Sequence, residues 1–274
     1  MLNFPNIDPV ALSIGPIHIY WYAIMYISGY GLASVFLKMR IKKYNLPWEK
    51  DQLENLTLFI GIGCILGGRL GYVLFYNLPF YSNNPLQIFQ IWHGGMSYHG
   101  GMLGVLLAIF IYGKKYNRSF FSISDFIAPA IPIGLALGRI GNFLGAQLYG
   151  KTTSLPWGMI FPNAGPLPRH PSQIYEFLLE GVLLFIILAS LSRKNRPPMY
   201  LSGMFMVFYS IFRFISEFFR APDPQIGYLA WNWLTMGQVL SIPMFIIGLV
   251  LIFKSYTFEK KRCSFKSKQK LSVP

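Results

Sequence analysis

Arginine recurs in this chain inside apolar surroundings, where a charge is expensive. Arg69 lies in LGGRLGYVLFY (66–76), Arg139 in LGRIGNF (137–143), and Arg213 and Arg220 in YSIFRFISEFFR (209–220). A guanidinium offers a planar fork of five donors that matches phosphate or carboxylate, so such a set can hold an oxyanion. In YSIFRFISEFFR, Tyr209, Arg213, Glu217 and Arg220 are spaced i, i+4, i+8 and i+11, which keeps them on one helical face and lets Arg213 pair with Glu217. The surplus positive charge then calls for an anion. Each arginine taken alone could instead snorkel to lipid headgroups, Arg220 most readily because it sits at a helix end.

Other groups could move a proton. His99, in WHGGMSYHGGMLG (92–104), is the leading general-base candidate for a thiol or hydroxyl, since imidazole titrates near pH 6.5. A lone histidine at a membrane edge also serves as an ordinary structural hydrogen-bonding group, and His93 is the weaker base candidate. In LPRHPSQIYE (167–176) Pro171 and Ser172 suit a helix's first turn, so His170 can simply mark a helix start. Tyr20, Trp21 and Tyr22 fit an interfacial aromatic belt. The four histidines are dispersed without ligand spacing to cysteines or carboxylates, so neither a metal nor a cofactor is expected. No Gly-x-Ser-x-Gly elbow, phosphate-binding loop, nucleotide fingerprint or HEXXH sequence occurs.

The elements that must position these groups are helices. Of 274 residues, 53% are hydrophobic, 17% aromatic and 12% charged, with mean hydropathy +0.42. Such values belong to a polytopic membrane protein. Crossing a hydrocarbon core of ~30 Å takes about 20 apolar residues, and such runs fall at roughly 19–37, 56–76, 95–112, 122–144, 174–192, 200–219 and 237–254. The expected fold is therefore all-α, a single seven-helix bundle over 1–256. A basic, disordered cytoplasmic tail over 257–274 follows it. The long connection 145–173 is rich in Gly and Pro. Glycines flanking Arg69 and Arg139 suit close helix packing.

A net charge of +14 would point a soluble protein toward nucleic acid, but the positions of the charges argue otherwise. Basic residues concentrate in alternate connections. They are Lys38 to Lys50 after the first span, Lys114 to Arg118 after the third, Arg193 to Arg196 after the fifth, and Lys254 to Lys270 after the seventh. The opposite connections, 1–18 and 78–94, hold no lysine or arginine. This positive-inside pattern places the N-terminus outside and the C-terminus in the cytoplasm, and it leaves no reason to invoke a nucleic acid. Arg69, Arg139 and Arg213 then share the outer half of the membrane. No cleavable signal sequence is visible in residues 1–16, so the first span is expected to direct insertion. Cys64 in the second span and Cys263 in the tail cannot meet in a disulfide.

Seven ordered segments resemble the bacterial prolipoprotein diacylglyceryl transferase family. They are DPVALSIGPIHIYWYAIMY (8–26), GGRLGYVLFYN (67–77), GGMSYHGGMLG (94–104), SDFIAPAIPIGLALGRIGNF (124–143), LPRHPSQIYE (167–176), FRFISEFFRAPD (212–223) and MGQVLSIPM (236–244). The resemblance implies transfer of a diacylglyceryl group from phosphatidylglycerol to the lipobox cysteine of a prolipoprotein, with release of glycerol phosphate. It implies partners that are lipid, prolipoprotein signal peptide and membrane, and a site facing the outer leaflet of the bacterial inner membrane. Under that reading His99 is the base and Arg139 and Arg213 meet the phosphate. Tyr22, Asn142, Tyr209 and Glu217 orient the substrate, joined by Arg69, Gln147, Gly150, His170 and Arg220. One departure stands out. Where the family carries Asn and Glu after G-N-F and a branched residue, this chain has Gly145 and Gln147, which leaves open that Gln147 suffices in a positional role, that another acid such as Glu217 or Glu176 substitutes, or that this is a weakened or inactive member. An anionic-lipid transporter or flippase is the rival from another class, although no matching halves with interrupted helices are visible.

Overall fold

The computed structural model describes the chain apart from Met1, Asn6, Pro16, residues 223–226 and residues 272–274, and apart from the side chains of Ile17, His93 and 261–271. The roles considered for His93 and Cys263, Asp223 of the last matched arginine segment, and much of the basic tail thus lie outside the described residues.

Each expected span is helical. The helices are α1 (Trp21–Tyr44), α2 (Lys50–Tyr76), a short α3 (Leu78–Asn83), α4 (Tyr98–Lys115), α5 (Phe120–Ile127), α6 (Ile131–Leu144), α7 (Ser172–Glu176), α8 (Leu184–Leu191), α9 (Tyr200–Glu217) and α10 (Met236–Leu271). A 3-10 turn, Ala128–Ala130, joins α5 to α6, and a π-helical segment, Phe177–Leu183, joins α7 to α8. Among the described residues four helical stretches are long and apolar enough to cross a membrane: Lys50–Tyr76, Phe120–Leu144, Ser172–Leu191 and Met236–Lys260. The remaining expected spans, α1, α4 and α9, are less apolar because they carry tyrosines, glycines and charged residues such as Lys114, Arg213 and Glu217. The backbone of α10 stays helical through Leu271, beyond the span limit of 254 expected from hydropathy and into the stretch expected to be a disordered tail.

The contacts divide the chain into two units, Met1–Leu37 with Asp125–Pro274, and Lys38–Ser124. In the first, a hairpin of β2 (Val10–Ile14) and β3 (Ile17–Tyr20) runs directly into α1. The first strand, β1 (Leu2–Asn3), pairs in parallel with β4 (Met159–Ile160). Leu184, Leu188 and Phe212 form one buried apolar cluster, and Ala128, Tyr200 and Leu201 another. Small residues set the helix spacing. A Cβ on Gly181 would lie 2.9 Å from Ala136 Cα, and one on Gly203 would lie 2.9 Å from the Gly248 carbonyl. Asp125, on α5, accepts from Ser202 N at 2.8 Å and Ser202 Oγ at 2.5 Å. It thereby supplies a negative charge to the first turn of α9, where free N–H groups and the helix dipole favour one.

The second unit is organised by α2 packed on α4. Gly63, Gly67 and Gly71 share one face of α2, and added Cβ atoms on Gly67 and Gly71 would lie 2.7 Å from Gly104 Cα and Gly100 Cα. Where lipid already solvates apolar side chains, helices gain by such close backbone approach rather than by hiding surface from water. The glycines around Arg69 are thus explained by packing. Ser97 caps α4 by accepting from Gly100 N at 3.2 Å. A valine at Gly71 is expected to cost about 1–3 kcal/mol by overpacking. Thermal unfolding in detergent should show a lower Tm, whereas Gly31→Ala, whose Cβ meets nothing within 4 Å, should unfold at the wild-type temperature.

Candidate active site

The polar centre of the first unit is built from three helical stretches. Arg139 comes from α6, Glu176 ends α7, and Glu180 lies in the π-helical segment. Arg213 and Glu217 come from α9, with Arg220 just beyond it. A π turn is wider than an α turn and often marks a functional position. Within it, Gly181 lets α6 approach closely enough for Arg139 to reach both carboxylates.

Glu176 is the hub of the cluster. Its Oε2 lies 2.9 Å from Arg139 Nη1, and its Oε1 lies 3.0 Å from Arg213 Nη1 and 3.4 Å from Arg220 Nη1. Glu180 sits 3.2 Å from Arg139 Nη2 and 3.6 Å from Arg213 Nη1. Glu217 pairs with Arg213 Nη2, as the i, i+4 spacing predicts. Among the described residues three arginines therefore face three carboxylates, whose formal charges cancel. The expectation that surplus positive charge demands an anion is corrected here, because Glu176 and Glu180 supply the counter-charge. Glu176 and Glu180 side chains are 0% exposed, whereas those of Arg139 and Arg213 keep 15% and 16%. The carboxylates hold the guanidinium groups from within, and the arginine side chains are not wholly enclosed.

Around this cluster the chain is pinned by its backbone. Asn142 is buried and its carbonyl accepts from Gln147 N at 2.9 Å. Ala146 and Leu148 adopt left-handed conformations, φ 50° and 54°, which L-residues adopt only under constraint. The constraint comes from α7. Gln173 Nε2 donates to the Gln147 carbonyl at 2.5 Å and Ser172 Oγ donates to the Leu148 carbonyl at 2.9 Å. Gln147 itself is exposed, so its main chain rather than its amide is held. Gly150 bridges to Arg220 and donates to the His170 carbonyl at 2.8 Å. A Cβ there would lie 2.7 Å from both His170 Cβ and that carbonyl, so only glycine fits. Tyr22 borders Gly141 and its ring lies 4.7 Å from that of Tyr26. Tyr209 is half-buried and stacks on Phe205.

Two sequence-derived candidates belong to the second unit. Arg69 is buried, and its five N–H donors are matched by five carbonyls, those of Gln87, Ile88, Gln90, Gly94 and Gly95. The guanidinium, which also lies over the Tyr81 ring, organises the connection from α3 to α4 and has no donor left for a phosphate. His99, on α4, is exposed, its ring edge-on to Tyr98 at 5.6 Å. Glu180 is the cluster residue that sequence reasoning missed. Its signal is visible in YEFLLEGVLLF (175–185), where two acids four residues apart interrupt an otherwise apolar run.

Helices of membrane-crossing length, with an arginine–glutamate centre buried among them, define a membrane-integral helical protein with a polar site. Residues 9–254 match the family described as prolipoprotein diacylglyceryl transferase. The chain belongs to that family. It is 56% identical over 256 residues to the phosphatidylglycerol–prolipoprotein diacylglyceryl transferase of Pseudomonas aeruginosa, covering 93% of this chain and 96% of the relative. Its similarity to the proteins of the same name from Pseudomonas fluorescens and Pseudomonas putida is 56% and 55% over 259 residues. Those alignments cover 93% of this chain in both cases, and 96% and 97% of the relatives.

Outside the helices His170 yields a pH prediction. Its Nδ1 lies 3.1 Å from Tyr175 Oη, and burial, aided by the Lys151 charge, pushes the imidazole below its usual value. The folded chain therefore favours neutral His170, and its contribution to stability is present above about pH 6.5 and declines as pH falls through the window between the unfolded and folded values. The Tm should drop below about pH 6.5 in the native chain, with a shallower slope in His170→Gln.

Proposed function

We propose that this chain transfers the diacylglyceryl group of phosphatidylglycerol to the lipobox cysteine thiol of prolipoproteins, making a thioether and releasing glycerol phosphate. The observation that carries this reading is 56% identity across 93% of the chain with relatives named for that activity. The arginine cluster supports it chemically. The sulfur attacks the glyceryl carbon bearing the phosphate ester, that C–O bond breaks, and its electron pair leaves on the phosphate oxygen. Arg139 and Arg213, held from within by Glu176 and Glu180 without being wholly enclosed, are suited to receive that charge. Arg220, paired with the same Glu176, adds a third guanidinium beside them.

His99 is assigned the proton of the attacking thiol, since a thiol of pKa about 8.5 reacts as thiolate. Tyr22, Asn142 and Tyr209 orient the lipid, while Gly150, Gln147 and His170 shape the connection beside it. Seven spans, an outer N-terminus, a cytoplasmic basic tail and a site toward the outer leaflet of the inner membrane complete the reading. The alternating distribution of lysine and arginine supports that topology.

In a reconstituted assay with phosphatidylglycerol and a lipobox peptide, Arg139→Ala and His99→Gln should each lose about 10²-fold or more in kcat/KM. Near-native activity in Arg139→Ala would overturn the phosphate assignment, and lipid movement without a thioether product would indicate a transporter. Gln147→Glu should change kcat less than about tenfold, since this position acts through its backbone. A gain on the order of 10²-fold would mean that a carboxylate there is catalytic and this chain impaired.

A further inference from the structure

We propose that Thr235 is a positioning residue for the phosphate-binding arginines, acting through Glu217; the inference rests on the function proposed above. α10 opens with Thr235–Met236–Gly237–Gln238, in which two groups cap each other. Thr235 Oγ1 accepts from Gln238 N at 3.3 Å, and Gln238 Oε1 accepts from Thr235 N at 3.0 Å. This reciprocal arrangement is a capping box. A cap needs only a lone pair of the hydroxyl, so its proton is free for another partner. Here that partner is Glu217 Oε2, at 2.8 Å.

The remaining Glu217 oxygen, Oε1, faces Arg213. Its other side is closed by Gly237, where an added Cβ would lie 2.5 Å from Oε1 and 2.6 Å from the carboxyl carbon. The start of α10 thus fixes both oxygens of a carboxylate carried by α9. An i, i+4 Arg–Glu pair on one helix ordinarily keeps rotamer freedom; this one is wedged. Thr235 and Gln238 are both buried, and Gln238 Nε2 has no partner among the described residues. A glutamate at 238 would serve the capping box equally and leave no orphan donor. It would also place a second negative charge beside Glu217, and glutamine avoids that at the expense of one unsatisfied N–H.

The full-length enzyme tests the proposal by comparing Thr235→Val, which removes the hydroxyl at nearly constant shape, with Thr235→Ser, which restores it. Thr235→Val should lower kcat about tenfold with KM changed less than twofold, and Thr235→Ser should return kcat to within about twofold of native. A role confined to capping would lower Tm by about 2–4 °C and leave kcat alone. In a Glu217→Gln background, Thr235→Val should give no further loss of kcat while still lowering Tm, because the two side chains act in series. Gly237→Ala gives a second route, crowding the Glu217 carboxylate while leaving the capping groups in place, and should also lower kcat. Native kcat in folded Thr235→Val, or in Gly237→Ala if the first does not fold, overturns the inference. Arg213→Ala in the same assay separates the two levels. If it retains native activity, the phosphate reading fails, whereas its inactivity beside a fully active Thr235→Val sinks the Thr235 role alone.

Discussion

Charge buried in an apolar interior has to be matched locally, and the first unit is arranged around that requirement. Removing a carboxylate and a guanidinium from water costs several kcal/mol each, a penalty offset only when geometry is good and remaining donors and acceptors are filled. Glu176 meets three arginines and Glu180 meets two. Because the pairs interlock, loss of one partner strands charge on the others. Arg139, Glu176 and Arg213 belong to different helices, so the cluster ties α6, α7 and α9 together as well as forming the site.

The surrounding features serve that alignment. The π turn places Glu180 in the cluster beside Glu176, and Gly181 admits α6 at short range. Ser172 and Gln173, at the start of the same helix, hold the left-handed turn after Asn142. Thr235 reaches Glu217 from the start of α10. Arginine itself has two uses in this chain. Arg69 fills its five donors with carbonyls and organises a connection, whereas Arg139 and Arg213 are held by carboxylates and stay partly exposed. The residue type is the same, and the difference lies in what surrounds each fork.

Much of this organisation was legible in advance. The helical stretches follow the apolar runs because hydropathy and length report a local property of the chain. The Arg213–Glu217 pair follows from i, i+4 spacing for the same reason. Glu180 does not follow from the pattern of basic residues, although a carboxylate inside an apolar run is itself a signal. Gln147 looked like a defect in a motif, but in the fold its carbonyl is the held group and its amide is exposed. Main-chain roles leave little trace in residue identity.

Composition, helical periodicity and the alternation of basic connections thus establish a helical chain with membrane-grade segments, the family resemblance and the candidate arginines, because each depends on residues close together in the chain. Which arginine is structural, which carboxylates answer the others, and that a threonine at a helix start holds Glu217 depend on packing between distant segments. Arg139 and Glu180 are 41 positions apart, and Arg213 and Glu176 are 37 apart. No local pattern specifies such a pair. It follows from glycine-spaced helices and a π turn that bring the charges within hydrogen-bonding range.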